Sequence, residues 1–135
     1  MSLPIIRKAF EKRLSLMSPL LATAYENVPY TPLVGIPYQR VNLIPATPDN
    51  VVQGASMYFE RGFFQVTLCY PIGVGPAAAE TQTQLVRTHF KRGTSMLESG
   101  INVAVINTPR AAPAFLDDDR FCIPVSIPFQ AQISV

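Results

Sequence analysis

His89 is the single histidine among 135 residues, so any general base of ordinary pKa near neutrality would have to be this side chain. It lies in AAAETQTQLVRTHFKRG, on the apolar side of a predicted helix. That place suits a hydrogen-bonded core or subunit-contact histidine better than a catalytic one. No GxSxG elbow accompanies it, and GTSM at Gly93 shares with that motif only a glycine and a serine. Cys69 and Cys122 both fall in predicted strands. Two thiols do not make a zinc site, and there is no CxxC. They are either buried thiols acting as small hydrophobes or a disulfide between neighbouring strands.

Asp117, Asp118 and Asp119 are consecutive. Adjacent carboxylates cannot all converge on one ion, and no calcium-loop pattern follows them. They read as a charged turn between strands. A second reading makes them one half of a subunit salt bridge, with the basic helix surface of Arg87, Lys91 and Arg92 as the other half. IGVGP before a helix has part of a phosphate loop, but Pro76 removes one N–H and the GxGxxG spacing is absent. No catalytic, cofactor-binding or metal-ligating set is expected.

The elements that must position these residues begin with Phe63–Gly93. Phe64, Val66, Leu68 and Tyr70 alternate with Gln65, Thr67 and Cys69, the two-residue period of a strand with one buried face. The chain then turns and becomes a helix with Pro76 at its first position and Gly93 closing it. Ala78, Gln82, Leu85, Val86, His89 and Phe90 are expected to form its inner face. An earlier helix spans roughly Leu3–Met17, with Ile6, Ala9, Phe10, Leu14 and Met17 inward. Strands are expected at Leu21–Val28, Pro37–Ile44, Ser56–Glu60, Ile101–Ile106, Arg120–Ile127 and Phe129–Val135. Arg61–Gly62 reads as a hairpin tip between Ser56–Glu60 and Phe63–Tyr70. Thr94, Ser95 and Gly100 indicate a connection, and 107–115 is irregular. Pro124 argues for an edge or a bulge, and Pro128 for an interruption. The fold class is α+β: one domain over 1–135, with a mainly antiparallel sheet of about five or six strands packed against two helices.

Composition turns attention to surfaces. Apolar residues make up 48% of the chain and charged residues 15%, where about 25% charged is ordinary for a soluble surface. Some of the surface is therefore expected to be covered by other protein. Net charge is +2, too balanced for a dedicated nucleic-acid binder, and aromatics do not interleave with the basic residues as a stacking platform. The N-terminus carries charge before any long apolar run, and no stretch reaches the length of a membrane span. The loop Ile44–Ala55 is long, and its centre, Pro48, Asp49, Asn50, Val51 and Val52, is the candidate docking arm. Pattern and composition favour an assembly protein over an enzyme.

IRKAFEKRL, AYENVPYTP, ERGFFQVTLCYPIGVG, HFKRG and PVSIPF, in this order and spacing, resemble the small phage and prophage proteins of the tail-terminator or tail-completion type. The resemblance spans nearly the whole chain and carries no catalytic residue. It implies an α+β subunit whose copies close into a hexameric ring on the head-proximal end of a tail tube. The ring would stop tube polymerisation and offer a surface to the head–tail connector. DNA would pass through its lumen without sequence-specific contact. Expected partners are thus other copies, the tail tube protein and the connector, with no membrane, cofactor or small-molecule substrate. The expected location is the virion tail, after assembly in the host cytoplasm. The alternatives are a head–tail connector, a tail-tube or minor tail protein, and, further off, a small hydrolase using His89.

Overall fold

Phe10 has no solvent exposure, and three other phenylalanines surround it. Its ring stacks on Phe64 at 4.7 Å, meets Phe129 edge-on at 5.5 Å and tilts against Phe90 at 5.8 Å. In the computed structural model, which describes residues 2–50 and 56–134, this cluster joins two helices to one face of a sheet. The first helix, α1 (Ser2–Leu14), buries Ile6, Ala9, Phe10 and Leu14 at the expected period. It ends before Met17, which a following turn still delivers to the core.

The strands are β1 (Ala22–Ala24), β2 (Tyr38–Pro45), β3 (Met57–Pro71), β4 (Ser95–Glu98), β5 (Ile101–Val105), β6 (Arg110–Ala111), β7 (Phe115–Asp117) and β8 (Arg120–Ser134). Their order is β1-β2-β3-β8-β5-β4, with β6 and β7 also paired to β8. Every pairing is antiparallel except β1 with β2. The second helix, α2 (Ala77–His89), lies with α1 on the face that carries Phe64, Val66, Val125, Ile127 and Phe129. The α+β class therefore holds, with a sheet of eight strands among the described residues.

The sequence misplaced several boundaries. Arg61–Gly62 is not a hairpin tip: β3 runs through it and pairs with β8 over the full length of both strands. Gly62 is needed there because a Cβ would collide with the Ile44 carbonyl and lie 2.9 Å from the Pro45 Cα. Pro124 and Pro128 do not interrupt β8 either. Its outer side is covered by three short strands with gaps between them. β7 reaches only Cys122, β6 covers Val125 and Ser126, and β5 begins at Phe129. Both prolines fall just beyond the ends of these short partner strands, where each missing N–H costs at most one terminal bond. Their carbonyls still accept from Ala112 and Ile106 on that side. The expected edge is thus local rather than a whole strand.

Ser95–Glu98 is a strand and not a connection, hairpinned to β5 through Ser99 and Gly100, both at positive φ. Helix α2 buries Ala79, Gln82, Thr83 and Val86, leaving Ala78 and Leu85 outside. Phe90, the large anchor, sets that rotation. The helix closes on Phe90, so Gly93 is not its C′ residue; the Gly93 N–H instead donates to the Val105 carbonyl at 2.9 Å.

Because β1 runs parallel to β2, the chain between them must return along the pair, which takes about a dozen residues. That return, 25–37, folds over the face of the sheet away from the helices, and Tyr30 stacks on Tyr38 at 5.4 Å.

Candidate assembly surfaces

The acidic turn sits at one end of the sheet. Asp117 pairs in register with Arg120, Asp118 takes φ 52° in the turn, and the Asp119 carbonyl accepts from the Ile72 N–H at 3.0 Å. Asp117 is bound to Arg40 at 3.3 Å, while Asp118 and Asp119 are exposed. It is the charged turn between strands that the sequence suggested.

The basic residues lie far from it. Lys91 and Arg92 are exposed just beyond α2, beside the Gly93–Val105 bond, and Val105 pairs with Phe129. From Arg120 to Phe129 along β8 is about 30 Å at about 3.3 Å per residue. The two groups do not meet within one subunit. Arg87 is half-buried and its Nε donates to the Pro109 carbonyl at 3.1 Å, so it serves the fold as well as the surface.

Arg120 was not foreseen. It is buried, its guanidinium lies 5.2 Å over the Tyr38 ring, and its two terminal nitrogens donate to the carbonyls of Leu33 and Ile36. Those carbonyls flank a tight turn closed by the Ile36 N–H on the Leu33 carbonyl, with Gly35 at φ 77° in the position where a left-handed residue is required. At its tip Val34 is 90% exposed. A hollow of about 220 Å³ lies between this crest and Asp117–Asp119. Ile72, Val74 and Leu116 are also exposed at this end. PLVGIP, apolar where a loop would ordinarily be polar, was the signal available in the sequence.

At the other end a shallow hollow of about 170 Å³ lies between α1 and β4. Leu16 and Leu97 line it and are 72% and 73% exposed, with Met96 below and Lys12 and Arg13 on the rim. Glu98, also in its wall, is held by Lys8 and Lys12 at 3.4 Å each.

Of the candidate docking arm, Pro48 and Asn50 are exposed, and Val51 and Val52 lie outside the described residues. Asp49 is tied down: its backbone exchanges two hydrogen bonds of 2.9 Å with Phe59.

The groups that could do chemistry are committed elsewhere. The Arg13 Nε and Nη2 donate to the His89 carbonyl at 3.1 and 3.0 Å, and a His89 ring nitrogen lies 2.7 Å from the Arg13 carbonyl. His89 therefore fastens α2 to α1. Cys69 and Cys122 face each other across β3 and β8 with Cα atoms 4.1 Å apart and are joined as a disulfide. A hollow of about 600 Å³ opens on the helix-free face, lined by Tyr25, Tyr30, Tyr38, Arg40 and Thr67. Its charged groups are already paired, Glu26 with Arg7 at 2.8 Å and Arg40 with Asp117. Among the described residues no cluster is placed to hold a metal ion, and no helix is long and apolar enough to cross a membrane.

Three comparisons bear on what these surfaces serve. A family model described as phage tail terminator protein matches residues 5–129. One solved structure, without a functional description, is 28% identical, with a TM-score of 0.77 over 100% of this chain and 99% of that one. A chain from the virion of a native gene transfer agent particle has the same fold at 17% identity, with a TM-score of 0.68 over 98% of this chain and 96% of its own. No curated protein sequence matches.

Proposed function

This chain belongs to the phage tail terminator protein family, and from that premise we propose that its copies close into a ring, expected to be hexameric, on the head-proximal end of the tail tube. It is a structural protein of the phage tail and not an enzyme. The ring ends tube polymerisation and presents the surface on which the head–tail connector docks; DNA passes through its lumen. Assembly takes place in the host cytoplasm before the tail joins the head.

The observation that carries this reading is the family match over nearly the whole chain. The surfaces support it. Large apolar side chains stand exposed at both ends of the sheet, Val34, Val74 and Leu116 at one and Leu97 at the other. A monomer has no use for such patches, whereas a heterologous interface whose rotation closes needs two different ones. The candidate residues take roles accordingly: Lys91, Arg92 and Asp117–Asp119 at contacts between copies, Arg87 beside them, and Pro48, Asp49, Asn50, Val51 and Val52 toward the tube or connector.

Tube growth followed by light scattering tests the proposal. Purified tube protein should stop elongating when this chain is added at one ring per tube end. Unchanged growth, or incorporation of this chain along extending rods, would instead indicate a tube or minor tail protein.

A further inference from the structure

We propose that the Leu33–Ile36 crest of one copy seats in the Leu16–Leu97 hollow of the next, so that the ring closes through opposite ends of the subunit. The inference rests on the ring reading above and names the surfaces such a ring would join.

The crest is built to be rigid in an exposed place. A valine at a loop tip needs no explanation when the loop is loose. Here a buried arginine holds the carbonyls on both sides of Val34 and Gly35. Burying a guanidinium is unfavourable unless its donors are matched, and the match made here is to a surface turn. The turn is consequently fixed before a partner arrives, which lowers the ordering cost of docking.

The hollow suits that crest. Leu16, Leu97 and Met96 form its apolar part, beside Ser95 and Glu98, and its volume is about 170 Å³. Leu16 and Leu97 stand open there, and a valine side chain set against them would cover apolar surface on both copies. The rim carries Lys12 and Arg13, with Lys91 and Arg92 exposed nearby; Glu98 offsets one of these charges and leaves the surround basic, whereas Asp118 and Asp119 flank the crest. Crest to hollow therefore sets acid against base. Crest to crest would set acid against acid, which disfavours a two-fold dimer through this surface. The crest and hollow lie at opposite ends of the sheet, so a copy cannot fill its own.

Cross-linking of the full chain tests the contact. Val34→Cys and Leu97→Cys proteins, mixed on tail tubes under mild oxidation, should give a linked dimer that neither gives alone. The doubly substituted chain should give a ladder. Rings seen by electron microscopy without that link would overturn the contact and leave the ring reading standing. A link within Val34→Cys alone would replace it with a two-fold one. Uncapped tubes and no oligomer would overturn both. As a second arm, Val34→Lys should raise the concentration needed for assembly about tenfold. Adding Leu97→Glu should recover most of that loss, and unaltered assembly of Val34→Lys would count against the contact.

Discussion

Arg13 and His89 each bind the other's backbone: the guanidinium takes the His89 carbonyl, and the imidazole meets the Arg13 carbonyl. The guanidinium also stands 6.0 Å over the Phe90 ring. This reciprocal pair locks the C-terminal ends of both helices against each other, next to the phenylalanine cluster. Arg13→Met removes two charge-assisted donors and should destabilise the fold by about 2–3 kcal/mol. His89→Gln keeps a side chain able to bond, so its loss should stay under about 1.5 kcal/mol. Urea unfolding checks both. Tail length should be normal with His89→Gln; a block in assembly without a loss of stability would show that the imidazole has a role beyond this pair.

At Gly62 the backbone of β2 leaves no room for a side chain on β3. Gly62→Ala should destabilise by about 1–3 kcal/mol, because the added methyl meets backbone atoms that cannot rotate away. Gly73→Ala is a useful contrast: nothing lies within 4 Å of its Cβ position, and only its φ of 86° opposes the change. Gly62, at φ 157°, carries a backbone penalty as well as the collision, so thermal unfolding should show the larger loss for Gly62→Ala.

The segment over the helix-free face depends on Arg120. Arg120→Met should cost about 2–3 kcal/mol and free the Leu33–Ile36 turn. Limited proteolysis should then cut within 28–36 in the variant well before it cuts the wild type. Equal cleavage rates would mean that the stacking of Tyr30 on Tyr38 holds the segment by itself.

Glu26 gives the fold an acid-sensitive tie. The Leu43 backbone N–H donates to its carboxylate at 3.0 Å, and Arg7 adds an ion pair at 2.8 Å. Together these hold its pKa below the ordinary carboxylate value. A depressed folded pKa stabilises above the unfolded value, about 4.3, and that stability is lost as pH falls through the folded value. The side chain is 38% exposed, so the neutral-pH contribution should be under about 1 kcal/mol. Glu11, raised chiefly by burial, works in the opposite sense. Comparing wild type with Glu26→Gln isolates the tie: their stabilities should differ at neutral pH and converge below the carboxylate range.

Periodicity made much of this fold legible. Alternation in 63–70 and 120–127 and the helical spacing of Ile6, Phe10 and Leu14 each reported one buried face, and those faces meet in the core. What periodicity cannot report is continuity. Gly62, Pro124 and Pro128 look like breaks in sequence because their usual penalty is a lost bond or side chain. Here Gly62 relieves a backbone collision, and the prolines fall between short partner strands. The acidic turn was readable from three adjacent aspartates. The grip of Arg120 on a turn more than eighty residues earlier was not, since it depends on the return of the chain after β1.

Electron microscopy of tail tubes assembled with and without this chain tests the central claim most directly. With it, tubes should have a uniform length and a ring at one end only. Tubes of uncontrolled length in both samples, with bare ends, would contradict a terminator that works by capping.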